Sequence, residues 1–132
     1  MLLLRCVVPG EAPYWMIPGG GREEGEDETA CVVREAREET RLVVEVERLL
    51  LDVPADPPDG TYVRWRTYLC RLVGGEAAPG TEGPGAQLVD VMWLPLGDEP
   101  HWPAEISSDP FLEPQLRAIR DRLGAAPRGQ GP

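Results

Sequence analysis

The chain has no lysine, one histidine, one phenylalanine and three cysteines. Without lysine it can form no lysine Schiff base and has no P-loop lysine. Cys6, Cys31 and Cys70 are too few and too scattered for a disulfide framework or a cysteine zinc site, and they point to a reducing, cytoplasmic setting. Positive charge is also short: 13 arginines face 23 acids, a net charge of -10. Binding to nucleic-acid polymers needs clustered positive charge, and docking on anionic lipid needs it too, so both fit poorly. No apolar run approaches the roughly 18 residues of a membrane span. Met1-Leu2-Leu3-Leu4 meets Arg5 at once, unlike a signal peptide. What remains is 132 residues, 42% of them hydrophobic, enough for a single domain with a packed core.

Short stretches rich in Val, Leu and aromatics, bounded by Gly, Pro or Asp, predict strands at Leu2 to Val8, Tyr14 to Ile17, Leu42 to Val53, Tyr62 to Val73 and Leu88 to Leu94. A helix is expected between Asp27 and Thr40. Leu112, Leu116, Ile119 and Leu123 recur at helical spacing after the start signal Asp109-Pro110, and Pro114 blurs that start by a turn. Pro54 to Gly60, Gly74 to Gln87 and Pro95 to Asp109 read as loops, the first two dense in Pro and Gly. Residues 1–123 read as one domain and 124–132 as a disordered tail. His101, the four tryptophans and Cys31 carry structural readings.

The unusual segment runs from Gly19 to Leu42. Ten of the 23 acids fall between Glu23 and Glu47. At about 100° per residue, Ala30, Val32, Val33, Ala36 and Thr40 share one side of a helix, with Glu28, Glu35, Glu38 and Glu39 on the other. Asp27 stands where an N-cap belongs. A charge run is usually a solvated face. Here the carboxylates crowd with few bases among them, an arrangement a hard divalent cation would stabilise. Pro18-Gly19-Gly20-Gly21-Arg22 supplies a tight turn just before.

Gly20, five residues, Glu26, seven residues, then Arg34-Glu35-Ala36-Arg37-Glu38-Glu39-Thr40-Arg41-Leu42 resembles the Nudix box. Every fixed position is met except one, where Arg41 replaces Gly. A strand ending Met92-Trp93-Leu94-Pro95-Leu96 is similar to the family's closing strand. The resemblance implies an α/β/α sandwich around a mixed sheet. It implies a metal-dependent hydrolase that cleaves a diphosphate linkage in a small nucleotide-type substrate, a nucleotide sugar such as ADP-ribose or a nucleoside triphosphate. Mg²⁺ or Mn²⁺ would be held by the Gly20 carbonyl, Glu35, Glu38 and Glu39, with Arg34 pairing Glu26 to orient them. Glu38 is the first choice for the base that takes the proton of water, and Glu82, in the flexible Gly74 to Gln87 loop, is the alternative by chain order. Arg5 and Arg66 are weaker candidates for substrate phosphates. Pro58, about sixteen residues past the box, is a weak pointer to ADP-ribose.

Two departures stand out. Arg41 falls just past the helix, where Gly takes φ > 0, so a small stability cost is expected without loss of chemistry. The family also carries further chain before its Leu-rich strand. A misassigned start, a sheet shortened at that edge and a partner chain covering it in a homodimer are three open readings. A catalytically silent Nudix-like binding or regulatory module is the competing function, and a Ca²⁺-buffering acidic domain is the third.

Overall fold

The computed structural model describes residues 1–54 and 64–124. Pro57, Pro58, the start of the strand expected from Tyr62 and residues 125–132 of the expected tail lie outside them, while Gly124, the first residue of that tail, ends a helix instead. The described chain contains strands β1 (Leu2–Val7), β2 (Tyr14–Met16), β3 (Val43–Pro54), β4 (Arg64–Gly74) and β5 (Gln87–Trp93), and helices α1 (Glu28–Thr40), α2 (Ala104–Ser107) and α3 (Leu112–Gly124). It divides into two compact units. Among the described residues, one holds 1–48 and 69–94, the other 49–54, 64–68 and 95–124.

The first unit is built on β1. Its sequence, LLLRCV, has no polar alternation at its start, and Leu3 and Leu4 are wholly buried. Such a continuous apolar run belongs inside a sheet, and β1 lies between β2 and β5, antiparallel to both. The free edge anticipated at β1 is therefore absent: among the described residues the edges of this sheet are β2 and β5, and the argument for a partner covering β1 falls away. Leu4, Cys6 and Leu88 form a buried cluster with Val8, Met16, Ala86 and Val91 packed on it. The register against β5 slips between Arg5 and Cys6, so that Val89 bulges from the ladder. β3 and β4 pair separately.

In the second unit, Asp109 Oδ1 accepts the amides of Phe111 and Leu112 at 2.9 and 3.0 Å and starts α3. Pro114 falls in the first turn, where its missing N–H has no helical partner to lose. Leu112, Leu116 and Ile119 are buried as their spacing predicts, whereas Leu123 is exposed. The expected loop 95–109 contains a 3-10 turn at Glu99–His101 and the single turn α2, which packs on α3 with Ile106 fully buried. Trp102 is buried too and donates from Nε1 to the Pro95 carbonyl at 2.9 Å. No helix among the described residues is long and apolar enough to cross a membrane.

Candidate active site

Helix α1 begins as its sequence dictates. The Asp27 side chain accepts the Ala30 amide at 2.7 Å and the Thr29 hydroxyl at 3.0 Å, and Glu28 lies in the first turn. It stops at Arg41, the one non-glycine residue with positive φ among the described residues (φ 65, ψ 9), whose amide donates to the Arg37 carbonyl at 3.1 Å. The αL conformation expected from the Gly of the box pattern is there, carried by an arginine.

The buried face of α1 is not the one the helical projection gives. Cys31, Glu39 and Thr40 are buried, while Ala30 is exposed. The arc expected to be acidic is thus split. Glu38 stays exposed at 48%, and Glu39 turns inward, 1% exposed. The helix rotates its i, i+4, i+8 row of Cys31, Glu35 and Glu39 toward the Gly-rich turn, because that turn supplies polar partners. The Gly19 amide donates to Glu39 Oε1 at 2.8 Å, and the Cys31 thiol lies 3.8 Å from the Gly20 carbonyl oxygen. A Cβ on Gly20 would stand 2.5 Å from Glu35 Oε1, so a side chain there would push that carboxylate from its place.

Arg34 organises the rest. Its Nε and Nη2 bond the two oxygens of Glu26 at 2.7 and 3.0 Å, the paired fork of a strong arginine–carboxylate contact. Nη2 also donates to the Gly21 carbonyl, and Nη1 reaches Glu35 at 3.0 Å and Glu38 at 3.1 Å. These bonds hold the Glu26 carboxyl down at about 2. Glu35 moves the other way, raised by burial against the pull of Arg34. Among the described residues no three acidic, His or Cys side chains converge on one metal-sized point. The expected set of Glu35, Glu38 and Glu39 is not gathered as a whole: Glu35 and Glu38 meet on Arg34 Nη1, and Glu39 accepts the Gly19 amide instead.

Glu39 Oε2 has no hydrogen-bond partner and is sealed from solvent. Burial first, and then the neighbouring Glu82 carboxyl, pushes the Glu39 carboxyl far above the usual carboxylate range. Two carboxylates cannot bond one another unless a proton or a cation lies between them. An all-oxygen donor set with an orphaned buried oxygen suits a hard divalent cation. Of the weaker candidates, Arg5 lies 5.5 Å from the Trp15 ring centroid and opposite Asp90 in register. Arg66 belongs to the other unit, where it pairs with Asp52 at 3.4 Å.

The NUDIX domain model matches residues 1–114. An RNA pyrophosphohydrolase from Dinoroseobacter shibae is 43% identical over 100 residues, covering 64% of this chain and 61% of that protein. An ADP-ribose pyrophosphatase from Methanocaldococcus jannaschii is 36% identical over 81 residues, covering 60% of this chain and 47% of that protein. The chain thus matches only part of the length of either relative. Among solved structures, an ADP-ribose pyrophosphatase from Streptococcus suis superposes with a TM-score of 0.67 at 24% identity, over 96% of this chain and 84% of that one. A UDP-X diphosphatase gives 0.65 at 22% identity, over 92% and 55%. These two likenesses show a shared fold, and the match over residues 1–114 settles the kinship: the chain belongs to the NUDIX domain family.

Proposed function

We propose that the chain is a divalent-metal-dependent pyrophosphohydrolase that cleaves the diphosphate linkage of a small nucleotide-type substrate. The observation that carries this reading is the buried Glu39 Oε2, which has no hydrogen-bond partner. Glu35, Glu38, Glu39 and the Gly20 carbonyl would hold Mg²⁺ or Mn²⁺. Bound there, the ion supplies charge neutralisation for phosphoryl oxygens and lowers the pKa of water. Arg34, locked to Glu26, aims Glu35 and Glu38. Glu82 is favoured over Glu38 as the acceptor of the water's proton, because Glu38 is engaged by Arg34 while Glu82 neighbours the buried Glu39 carboxyl.

The two relatives carry names for different substrates, one an RNA and one ADP-ribose. The net charge of -10 favours a small nucleotide over a polymer. Incubation with Mg²⁺ and ADP-ribose, nucleotide sugars, nucleoside triphosphates and 5′-triphosphorylated RNA tests this directly. Release of a nucleoside monophosphate, phosphate or pyrophosphate from a small nucleotide is expected. Binding of the same nucleotides without turnover would identify a silent binding module instead.

A further inference from the structure

Segment 75–81 does not hang free as its Gly and Pro content suggests. The amides of Ala78, Gly80 and Thr81 donate to the carbonyls of Thr40, Glu39 and Glu38 at 3.1, 2.8 and 2.8 Å. With Arg41 closing on the Arg37 carbonyl, all four C-terminal carbonyls of α1, which a helix ordinarily leaves without partners, are bonded. The αL stop at Arg41 makes this workable: a helix continuing past Thr40 would use the carbonyls of Glu38 and Glu39 for its own next amides. Two glycines admit the segment. A Cβ on Gly80 would stand 2.8 Å from the Glu38 carbonyl carbon and collide with its oxygen, and one on Gly75 would stand 2.5 Å from the Arg41 carbonyl oxygen. Gly75 also has φ +88. Glu82 follows Thr81 directly, so its side chain starts one residue past two amides bonded to the Glu39 and Glu38 carbonyls.

We propose that segment 75–82 is a clamp seated on the C-terminal end of α1, and that Gly80, helped by Gly75, is the positioning residue that sets Glu82 beside Glu39. The role rests on the hydrolytic reading given above. Gly80 touches no reacting atom. It acts by letting two successive backbone amides lie on the carbonyls of Glu39 and Glu38, which fixes where the next side chain begins.

The test has two arms. In the first, amide hydrogen exchange is read in the native protein, where the Gly80 and Thr81 amides should be protected. Gly80→Ala should deprotect them while the β1–β5 ladder stays protected. In the second, Gly80→Ala should lower kcat by roughly 10- to 10²-fold, the scale of a catalytic group misplaced by about an ångström, with KM held within a few-fold. Added to Glu82→Gln, it should lower kcat no further, because both changes remove the same contribution. An independent, multiplicative loss in the double variant would show that Gly80 does not act through Glu82 and would overturn the proposal. Unprotected Gly80 and Thr81 amides in the native protein would overturn it too, even if Gly80→Ala failed to fold. Should the native protein turn over no substrate, the hydrolytic reading fails by itself, and the exchange arm still decides whether the clamp exists.

Discussion

The chain carries two clusters of charge on helices, and they resolve in opposite ways. In the second unit Glu99 takes both Arg117, at 3.0 and 2.8 Å, and Arg120, at 2.7 Å, while Glu113 and Asp121 complete the set. Three acids meet two arginines there, at the surface. In the first unit Arg34 alone meets Glu23, Glu26, Glu35 and Glu38, and Glu39 lies beyond its reach with one oxygen unsatisfied. A cluster that closes on itself serves as a surface brace of modest value. A cluster left short of positive charge, with one of its carboxyls buried, is costly by itself, and it fits a site completed by a ligand.

The contrast is sharpest in turnover. Glu38→Gln and Glu39→Gln should each lower kcat by at least about 10²-fold, the scale for losing a positioned base or ligand. Glu99→Gln should leave it within a few-fold, as steady-state kinetics on the preferred nucleotide will show. Added Mg²⁺ or Mn²⁺ should raise Tm, by the equivalent of about 2.7 kcal/mol when the ion is a hundredfold above its Kd, and calorimetry of Glu39→Gln should show little of that gain.

With metal chelated, the sign reverses for Glu39. Its carboxyl is pushed up to about 9, from an ordinary 4.5, first by burial and then by Glu82. The native state therefore keeps a proton that the unfolded chain releases. Its stability is full below pH 4.5 and declines as pH rises from there toward about 9. Glu39→Gln is neutral throughout and its amide can donate to Glu82. Urea denaturation in EDTA should find it more stable than the native protein at pH 8 by about 1–3 kcal/mol, with the gap closing at pH 5.

Glu99 behaves as the opposite case. Arg117 and Arg120 hold its carboxyl down at about 2, so its stabilising contribution is present above 4.5 and lost as pH falls from there. Glu99→Gln should flatten the acid limb of a Tm-against-pH profile between about 4.5 and about 2. The smallest effect belongs to Arg41→Gly. The strain of a non-glycine αL residue slightly exceeds what a cation gains at a helix C-terminus, so the change should be neutral or stabilising by no more than about 1 kcal/mol. Activity within a few-fold of native is expected, and abolished activity in the folded variant would make Arg41 a substrate contact.

Local chemistry explains what could be read from the sequence. The Asp27 cap and the span of α1 follow from residues within one turn and helix, the left-handed stop at Arg41 and the Arg34–Glu26 pairing from the resemblance to the Nudix box, and the structure has each. What depended on distant chain was hidden. The inward turn of Glu39 answers to Gly19, twenty residues away. The seating of segment 75–81 depends on two glycines that look like ordinary loop residues until the carbonyls of α1 lie against them. β1 is central because β5 pairs with it from the far end of the first unit. The turn α2 is too short to show any periodicity.

On the reading proposed above, a divalent cation completes the first cluster. Titration of Mn²⁺ followed by the paramagnetic signal of the free ion tests it most directly. The account predicts that the native protein and Glu99→Gln deplete free Mn²⁺ alike, and that Glu39→Gln depletes it far less. Equal depletion by all three proteins, or by none, would contradict it.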